Sequence, residues 1–510
     1  MRDSVKNKIV LIEELVKRID EFKRKGKVVV QSHGIFDLIH PGVIQHLNMA
    51  KKQGDILIVS VIKDKDVRKG FMGPIFPDTL RAENVASLSQ VDYVAIVNDE
   101  EPFECVKVIK PNIFAKGRSI KDFGSEHRSK VFEESRALYF GKTKIFETPD
   151  FSFSSTEIIK NFLDIYPPEV KHFLKDFSHR YSFKDVLKKI NSLQKLNVLL
   201  VGDGIIDEYH YCEAMGRSAK EPLVVNKYIT HEIFAGGAFA IANHLAGICG
   251  SVHLVSLVGK EPEREKFIQA NLKPNITPRL FFRKDSSTIV KKRYINHYSN
   301  QKLFEVNYLN DSCINGTLED NVVEYIESIL PSYDLVLVSD FGHGLITNRM
   351  IGVIEAHSKR YAVNTQTNAA NAGYNLITKY HQPNYVCLDE PELRWAAQER
   401  YDDVESVARK ILKTIKASTL IVTLGKRGSL GVNKNNQINR TPIFSSKVID
   451  TVGAGDAFFS FTAPCVASNM PLDLVSFIGN AVGALAVQIV CNKKSVEKYE
   501  LLEFIHALLR

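Results

Sequence analysis

The sequence predicts an α/β protein that is built from two domains with parallel sheets. Short apolar runs rich in valine, isoleucine and leucine, such as Val198–Val201, indicate strands that are buried on both faces. Longer amphipathic stretches of helical periodicity separate these runs, which is the spacing of βαβ units. At ~150 residues per domain, a chain of 510 residues has room for two or three domains.

The first part of the chain carries one βαβ series. We expect a helix from Ser4, which suits an N-cap, to Gly26, which suits a C-terminal stop. Strands and helices should then alternate up to a last helix. Their expected positions are a strand at Val28–Val30, a helix from Gly42, strands at Ile56–Ile62 and Tyr93–Val97, and a helix beginning near Ser155.

A break follows at Tyr166–Pro168, because consecutive prolines end the periodic pattern. Residues 170–195 are rich in lysine and carry no strand pattern, so we expect a helical segment whose basic face is solvated. The predicted boundaries are therefore a first domain at 1–165, a basic helical linker at 166–195 and a second domain at 196–510.

The second domain is expected to contain two sheets. Continuous apolar runs predict further main-sheet strands at Leu335–Val338, Tyr385–Leu388 and Leu420–Thr423. More polar, β-branched stretches at Leu223–Ile229 and Thr288–Ile295 predict a smaller sheet beside the main one.

Composition places the chain among ordinary globular proteins. Hydrophobic residues make up 44% of the chain and charged residues 25%, which are average values. Glycine and proline contribute 29 and 18 residues, far below the ~25% of low-complexity chains. Disordered, collagen-like and fibrous classes are therefore excluded. The net charge of +8 is mild for this length, and we expect polyanionic small substrates rather than nucleic acid as its partners.

Cysteine usage and apolar patterning predict the compartment. The seven cysteines are scattered without a CxxC pair, which disfavours a disulfide framework and a zinc site. The apolar stretch at Ala481–Cys491 is well short of the ~20 residues that span a bilayer. The N-terminus lacks the apolar core of a signal peptide. We therefore expect a reduced, cytoplasmic protein without membrane association.

The sharpest chemical motif is DTVGAGDAF at Asp450–Phe458, which leads into an apolar helix. The small residues Gly453, Ala454 and Gly455 leave backbone N–H groups at the helix start free to bind an anion. A carboxylate beside bound phosphate needs a function, and Asp456 can accept the proton of a hydroxyl that attacks a phosphoryl group. Alternatively, Asp456 only caps the helix, and the residues alone leave the two interpretations about even.

This motif resembles the signature of the ribokinase, or PfkB-type, carbohydrate kinase family, and further matches run from Asn197 to Arg510. The resemblance implies an ATP-dependent sugar kinase with a ribokinase-like α/β/α fold, a small β-sheet lid and Mg²⁺ as cofactor. It assigns Asp456 as the catalytic base. The residues that it implies for the ATP site and the anion hole are Gly453, Ala454, Gly455, Thr423, Gly425, Gly428 and Asn480.

The same resemblance implies a sugar site and a metal site. The residues for sugar binding are Asp203, Asp207, Gly236 and Gly237. The segment Asp389–Glu392 stands at the family's NxxE motif, so Asp389 and Glu392 are implied to hold Mg²⁺ through water.

Further stretches point to the kind of sugar. Met215–Leu223 and Thr288–Arg293 resemble segments of heptose-7-phosphate kinases, and Asp340–Gly344 resembles their DYGKG loop. A distal phosphate would be clamped by cationic side chains, for which the candidates are Arg217, Lys292 and Arg293. The alternative, in which these are surface charges on a lid sheet, has comparable weight.

Three positions depart from the family pattern. Ala240 stands where the family usually has asparagine, Asp389 replaces the asparagine of NxxE, and Asn364–Gln366 replaces the usual Asp-Pro-Lys. Asp389 is the mildest change, because aspartate and asparagine can both hold water or magnesium. The departures leave the kinase reaction intact and the identity of the sugar open.

A second motif, GIFDLIHPG at Gly34–Gly42, follows a strand and opens a helix, where a histidine suits the stabilisation of phosphate charge. It resembles the GxFDxxHxGH region of cytidylyltransferase-like nucleotidyltransferases, and matches in the same order cover Lys27–Phe162. The resemblance implies a Rossmann-like domain in which a phosphate attacks the α-phosphate of a nucleoside triphosphate and releases pyrophosphate. It assigns His40 as catalytic. The implied nucleotide-binding residues are Gly34, Phe36, Lys69, Lys116, Ser155 and Thr156.

This motif also departs from its family. Val43 replaces the second histidine of HxGH, and Gly73 replaces an arginine. His33 or His46 would have to compensate for the lost imidazole, and otherwise the domain is slow or only binds nucleotide.

Together the two halves resemble the bifunctional heptose-7-phosphate kinase/heptose-1-phosphate nucleotidyltransferase family, in the reverse of the usual bacterial domain order. The resemblance implies an enzyme that uses ATP or another nucleoside triphosphate and a sugar phosphate to make an NDP-sugar, ADP-heptose above all, as a homodimer or a higher homo-oligomer. The nearer alternative is an active sugar kinase whose first domain is a degenerate nucleotide-binding or assembly module. A non-catalytic scaffold is disfavoured by the intact turn at Asp456.

Overall fold

The chain divides into two compact units, Met1–Pro168 and Glu169–Leu509. The computed structural model describes residues 5–64, 67, 74–98, 102–117, 143–148, 166–369, 371–445 and 447–509.

The first unit is built on one parallel sheet. Its strands are β1 (Val29–Gly34), β2 (Ile56–Ile62), β3 (Tyr93–Val97), β4 (Ile113–Gly117) and β5 (Lys144–Thr148). They lie in the order β3-β2-β1-β4-β5. Its described helices are α1 (Ile12–Arg24), α2 (Pro41–Lys51), α3 (Asp78–Ala86) and α4 (Phe103–Ile109). Successive strand residues such as Val29 and Val30 belong to different core clusters, so both faces of the sheet are buried.

The strand order places a crevice at the carboxyl ends of β1 and β4. Strands β2 and β3 lie on one side of β1, and β4 and β5 lie on the other side. Ligands of open α/β sheets bind where the order reverses in this way. Because β1 ends at Gly34, the motif Gly34–Gly42 starts at this crevice.

The opening helix is shorter than predicted, since α1 begins at Ile12 and not at Ser4. Before it, Ile9 forms a β-bridge with Val94, and backbone hydrogen bonds of 2.8 and 3.0 Å flank the bridge. This pairing with β3 interrupts the helix that the apolar spacing indicated. The predicted helix near Ser155 lies outside the described residues.

The second unit contains a main sheet and a smaller one. Its strands are β6 (Asn197–Gly202), β7 (Gly204–Arg217), β8 (Val224–Gly237), β9 (Ser251–Gly259), β10 (Ile276–Arg283), β11 (Val290–Asn296), β12 (Lys302–Tyr308), β13 (Leu335–Asp340), β14 (Tyr361–Thr365), β15 (Tyr385–Asp389), β16 (Thr419–Thr423), β17 (Ser429–Asn433) and β18 (Ile438–Thr441). The main sheet runs β10-β9-β6-β13-β14-β15-β16-β17-β18 and is parallel as far as β16. The smaller sheet, which we call the lid sheet, runs β12-β11-β7-β8.

Helices cover the main sheet. They are α5 (Pro168–Arg180), α6 (Phe183–Ser192), α7 (Ala238–Ala246), α8 (Pro262–Ala270), α9 (Gly316–Ile329), α10 (Asn348–His357), α11 (Glu390–Ala397), α12 (Val404–Thr414), α13 (Ala454–Ala467), α14 (Leu472–Ala486) and α15 (Lys498–Leu509). The predicted α/β class with a small second sheet is confirmed. Carboxyl ends of the parallel strands share one edge of a sheet, and this edge carries Asp203, Asp340, Gln366 and Asp389.

The segment that we expected to be a linker packs on the second unit. Phe177 of α5 is fully buried and stacks on Phe477 of α14 with ring centroids 4.0 Å apart. The Tyr181 hydroxyl donates a hydrogen bond of 3.0 Å to Asp473. Exposed lysines such as Lys175 occupy the outer face, as predicted for a solvated basic helix. The compact unit therefore takes in α5 and α6, and the domain boundaries stay predictions.

Two further predictions concern membranes and cysteines. Within the described ranges, no helix is both long and apolar enough to cross a bilayer. All seven cysteines are free thiols, and six of them are buried.

We expect the variant Phe177→Ala to lower the free energy of unfolding of the second unit by about 3–5 kcal/mol, because it leaves a cavity against Phe477. The single tryptophan, Trp395, lies in the same unit, so its fluorescence during urea unfolding measures the change. The control Lys175→Ala on the exposed face should change stability by less than about 0.5 kcal/mol. Equal effects of the two variants would show that α5 is not part of this core.

Candidate functional site

The turn before α13 has the geometry of an anion-binding helix N-terminus. Gly453 has a φ of 83°, and a Cβ atom there would lie 2.2 Å from Asn492 Oδ1, so the turn requires glycine. The helix starts at Ala454, and its first N–H groups lie at the positive end of the helix dipole without partners inside the helix. Phosphate is stabilised at such a position.

Asp456 lies in the first turn of this helix and is buried. The Gln366 side-chain amide donates a hydrogen bond to Asp456 Oδ1. Burial raises the pKa of Asp456 to about 7, and the bond from Gln366 opposes this rise. A carboxylate with such a pKa can exchange a proton near neutral pH, which suits a general base.

Asp207 on β7 is a second buried carboxylate beside the turn. Its negative charge adds to the raised pKa of Asp456, so the two carboxylates interact. Arg293 on β11 donates to Asp207 Oδ1, and its Nε lies 2.7 Å from Glu305 Oε2. A Cβ at Gly236 would lie only 1.9 Å from Asp207 Oδ2, so glycine makes room for this carboxylate.

Asp203 positions the loop that follows β13. Its carboxylate accepts hydrogen bonds from the backbone N–H groups of Phe341 at 3.1 Å, His343 at 3.2 Å and Leu345 at 3.3 Å. Burial and then the charge of Asp340 raise the pKa of Asp203 to about 6. Direct contact of Asp203 with a sugar stays a prediction, whereas Gly237, with a φ of 54°, supports the adjoining turn.

The three side chains that were predicted to bind the distal phosphate lie at different places in the structure. Arg293 lies in the site, but Lys292 extends from the other face of β11, where its Nζ is 3.2 Å from Glu208 Oε2. Arg217 is exposed at the end of β7, ten residues beyond Asp207, which is about 30 Å along an extended strand. Clamping by Lys292 and Arg217 therefore has no support from this geometry.

Sequence reasoning missed Lys291, which shares the face of Arg293. It is buried and close enough to Asp456 and Asp207 for their charges to influence its pKa. Residues two apart on a strand point to the same side. Applied to the predicted strand Thr288–Ile295, this alternation would have selected Lys291 with Arg293 and set Lys292 apart.

Asp450, the first residue of the glycine motif, joins the lid sheet to the turn. Its carboxylate accepts hydrogen bonds from the Tyr209 hydroxyl at 2.7 Å and from Lys302 Nζ at 2.6 Å. It also accepts the Cys491 N–H at 3.0 Å. The motif therefore carries a structural acid as well as the candidate base.

The predicted ATP residues shape a turn between β16 and β17. Thr423 ends β16, and Gly425 and Gly428 have φ values of 56° and 83°. A Cβ at Gly428 would lie 1.9 Å from a carbonyl oxygen, so this position requires glycine. Asn480 fixes the turn from α14, because its Nδ2 donates to Ser429 Oγ at 2.5 Å. The turn is built as expected, and nucleotide binding by these residues stays a prediction.

Asp389 and Glu392 form a capping box at the start of α11. Asp389 Oδ1 accepts the Glu392 N–H at 2.8 Å, and Glu392 Oε2 accepts the Asp389 N–H at 2.9 Å. Burial, and then the charge of Asp389, raises the pKa of Glu392 to about 8. Among the described residues, no cluster of three or more acidic, histidine or cysteine side chains could hold a metal. Two carboxylates that keep water as a bridge nevertheless suit Mg²⁺.

In the first unit, His40 is the N-cap residue of α2 and is buried. Within the described part of the chain, its Nδ1 has no hydrogen-bond partner. Burial lowers the pKa of His40, so the ring is neutral near pH 7. Gly34 ends β1 at the same crevice. Phe36 has a positive φ of 51° and packs on the apolar cluster under α2, so its side chain supports the loop.

Lys116 completes the crevice from β4, whose carboxyl end lies beside that of β1. The other predicted nucleotide-binding residues, Lys69, Ser155 and Thr156, lie outside the described residues. His46 does not replace the missing histidine, because its two ring nitrogens bond Ser32 Oγ and Thr148 Oγ1 at 2.8 Å each.

Sequence reasoning also missed Arg81, which is fully buried and holds the loops around this crevice. Its NH2 group donates to the Ile62 carbonyl and to Asp64 Oδ1, both at 2.7 Å, and its Nε donates to the Phe76 carbonyl at 2.9 Å. No motif singled it out, because an arginine on a helix is ordinarily exposed.

The geometry agrees with comparisons to known families. Residues 195–493 match the pfkB family carbohydrate kinase model, and residues 32–161 match the cytidylyltransferase-like model. The bifunctional protein HldE of Nitrobacter hamburgensis is 27% identical over 306 residues, which are 58% of this chain and 61% of that protein. HldE of Syntrophotalea carbinolica is 33% identical over 162 residues, which are 31% of this chain and 32% of that protein.

The chain spans less than two thirds of the length of these curated relatives. Among solved structures, the tetrameric inhibited form of phosphofructokinase-2 from Escherichia coli aligns with a TM-score of 0.50 at 17% identity and covers 62% of this chain and 100% of that one. This likeness concerns the fold alone. Since the kinase model matches more than half of the residues, the chain belongs to the pfkB family of carbohydrate kinases, and it carries a cytidylyltransferase-like domain ahead of the kinase domain.

Proposed function

We propose that the chain is a cytoplasmic bifunctional enzyme that phosphorylates a sugar phosphate and joins a sugar 1-phosphate to a nucleotide. The observation that carries the kinase half is the buried carboxylate of Asp456 in the first turn of α13, where the first N–H groups have no partners inside the helix and can bind an anion. The likeness to HldE proteins supports the pairing of the two activities in one chain.

In the kinase reaction, Asp456 removes the proton of the acceptor hydroxyl as this oxygen attacks the γ-phosphoryl group of ATP. The N–H groups of the turn Gly453–Asp456 stabilise the charge on the transferred group. Asp207, which Arg293 orients through a hydrogen bond, accepts a hydrogen bond from a sugar hydroxyl. Asp389 and Glu392 would hold Mg²⁺ through water, and the ion would neutralise phosphate charge.

We further propose that the acceptor is the C1 hydroxyl of heptose 7-phosphate and that the final product is ADP-heptose. The stretches Met215–Leu223 and Thr288–Arg293, which resemble heptose-7-phosphate kinases, support this choice. A separate phosphatase would remove the distal phosphate between the two reactions.

In the transferase reaction, the sugar 1-phosphate attacks the α-phosphate of a nucleoside triphosphate, and pyrophosphate leaves. His40 and Lys116 lie at the same edge of the sheet, at the crevice of β1 and β4. There a hydrogen bond from the imidazole and the charge of the ammonium group would stabilise the phosphates and lower the barrier. On the family pattern, the residues that bind the nucleotide also include Lys69, Ser155 and Thr156. The buried, unpartnered Nδ1 of His40 among the described residues favours this activity over a degenerate domain.

We also propose a homodimer or a higher homo-oligomer. The lid sheet exposes large apolar side chains, and extended apolar surface of this kind is rare on monomers. These exposed residues include Met215, Val224, Tyr228, Phe304 and Tyr308.

The variant Asp456→Asn should abolish phosphorylation of heptose 7-phosphate, a loss of at least about 10²-fold for a general base. Formation of the 1,7-bisphosphate from ATP is the measurement, and ATP binding should persist. Burial raises the pKa of Asp456 to about 7, above its value in the unfolded chain. The protonated carboxyl therefore adds to the free energy of unfolding, and this stabilising contribution is lost as pH rises through about 7.

Asp456→Asn should therefore be at least as stable as the wild type at pH 8, which Trp395 fluorescence can measure. This control separates lost chemistry from unfolding. Retained turnover in a folded Asp456→Asn protein would remove the proposed base.

The variant His40→Ala should lower pyrophosphate release from heptose 1-phosphate and a nucleoside triphosphate by about 10²-fold, because it removes a donor to the phosphates. Each nucleoside triphosphate is assayed in turn, and Asp456→Asn serves as the reciprocal control that keeps this activity. Absence of release by the wild type with every nucleotide would leave the alternative, a sugar kinase with a degenerate first domain.

The variant Gln366→Leu should shift the acid limb of kcat/KM to higher pH. The amide stabilises the charged form of Asp456, so its removal raises the pKa of the base further above its usual value. Gln269→Leu, on the exposed face of α8, is the matched control. An unchanged pH profile in Gln366→Leu would contradict Asp456 as the titrating base.

A further inference from the structure

Lys291 is a buried cation that the proposed chemistry has not yet used. Only 9% of its surface is exposed. Within the described part of the chain, its ammonium group has no hydrogen-bond or salt-bridge partner, and its nearest aromatic contact is the ring of Phe341, with Nζ 5.7 Å from the centroid. Burial lowers the pKa of Lys291, as expected for an ammonium group without a bound counter-ion.

His343 lies beside Lys291 and also lacks a hydrogen-bond partner among the residues that the structure describes. It is 1% exposed, and neither ring nitrogen has a hydrogen-bond partner among the described residues. Its ring stacks on Phe341 at an interplanar angle of 8°, and the charge of Lys291 contributes to lowering its pKa. Asp203 fixes the His343 backbone, so the loop holds this imidazole in place.

Each of four neighbouring cations forms a salt bridge with an acidic side chain. Arg293 is paired with Asp207 and Glu305, and Lys292 with Glu208. The two remaining pairs are Lys302 with Asp450 and Lys379 with Asp340. Of these five site cations, Lys291 alone lacks an acid within salt-bridge distance among the described residues.

A buried charge and a buried imidazole without partners are unfavourable unless a ligand supplies the missing contacts. An ammonium group offers three donors, and a neutral imidazole offers one. Phosphate oxygens accept such hydrogen bonds and provide the opposite charge. Three carboxylates influence the pKa of Lys291. Asp207 and Glu305 are paired with Arg293. Asp456 is the base of the proposed reaction, so these carboxylates leave the charge of Lys291 available.

We propose that Lys291 and His343 form a phosphoryl-binding subsite beside Asp456. This proposal rests on the proposed kinase function and deepens it. The phosphoryl group has two possible sources, the phosphate ester of the acceptor sugar and the γ-phosphoryl group in transfer, and both present the same oxygens to the subsite.

The test compares Lys291→Gln with Lys292→Gln, which removes the same charge from the opposite face of β11. Kinetics are measured with heptose 7-phosphate and with the unphosphorylated heptose. If the subsite holds the acceptor's phosphate, Lys291→Gln raises KM for heptose 7-phosphate at least about tenfold and leaves KM for the free sugar unchanged. If it holds the γ-phosphoryl group, kcat falls by a similar factor with both acceptors. Lys292→Gln should have the smaller effect in either case.

Further variants distinguish a loss of phosphate binding from a folding defect. Lys291→Arg keeps the charge and should retain most of the activity, and His343→Gln keeps a donor and should be affected less than His343→Leu. The proposal is overturned if Lys291→Gln matches the wild type in kcat and in both KM values, or if Lys291→Arg, correctly folded, loses as much as Lys291→Gln.

A binding experiment separates this proposal from the kinase proposal. Calorimetry with inorganic phosphate and with heptose 7-phosphate uses the full chain carrying Asp456→Asn, in which transfer is blocked. Binding that Lys291→Gln weakens at least about tenfold supports the subsite even if the wild type phosphorylates neither sugar. The subsite is refuted if the wild type phosphorylates the sugar and Lys291→Gln changes neither binding nor kinetics. The proposed kinase function would be unaffected by that result.

Discussion

Asp456 must be kept out of water and yet be able to carry a negative charge, and much of the second unit is arranged around this requirement. Burial raises its pKa to about 7, and the hydrogen bond from Gln366 limits the rise. After the left-handed turn at Gly453, the first turn of α13 carries both the carboxylate of Asp456 and N–H groups without partners inside the helix. A base and an anion site therefore lie side by side because one helix provides both.

The lid sheet provides charged side chains that complement Asp456 of α13. Strand β7 contributes Asp207, and β11 contributes Lys291 and Arg293 from one face because residues two apart share a side. Asp450 links the sheet to the glycine turn through Tyr209 and Lys302. Around this site, Arg293, Lys302 and Lys379 are each paired with an acid, and Lys291 is the exception among the residues that the structure describes.

In the first unit, the candidate site depends on the order of the strands and on a buried arginine. Its sheet order opens a crevice between β1 and β4, and the loops around it are held by Arg81, a buried guanidinium bonded to backbone carbonyls. His46 is committed to Ser32 and Thr148, so the replacement of the second motif histidine by Val43 has no compensation from that side chain. Within the described part of the crevice, His40 thus offers a hydrogen-bond donor and Lys116 an ammonium group for stabilising phosphate.

The sequence by itself determined the α/β class, the strands at Ile56–Ile62 and Tyr93–Val97, and the glycine turn with Asp456, because these depend on local periodicity and on a motif. Strand alternation in the sequence groups Lys291 with Arg293 and sets Lys292 apart. Only the tertiary structure decided which of these two faces of β11 lies toward the site. It also decided that Asp203 binds a loop and that Ile9 pairs with Val94, because such contacts join residues far apart in the chain.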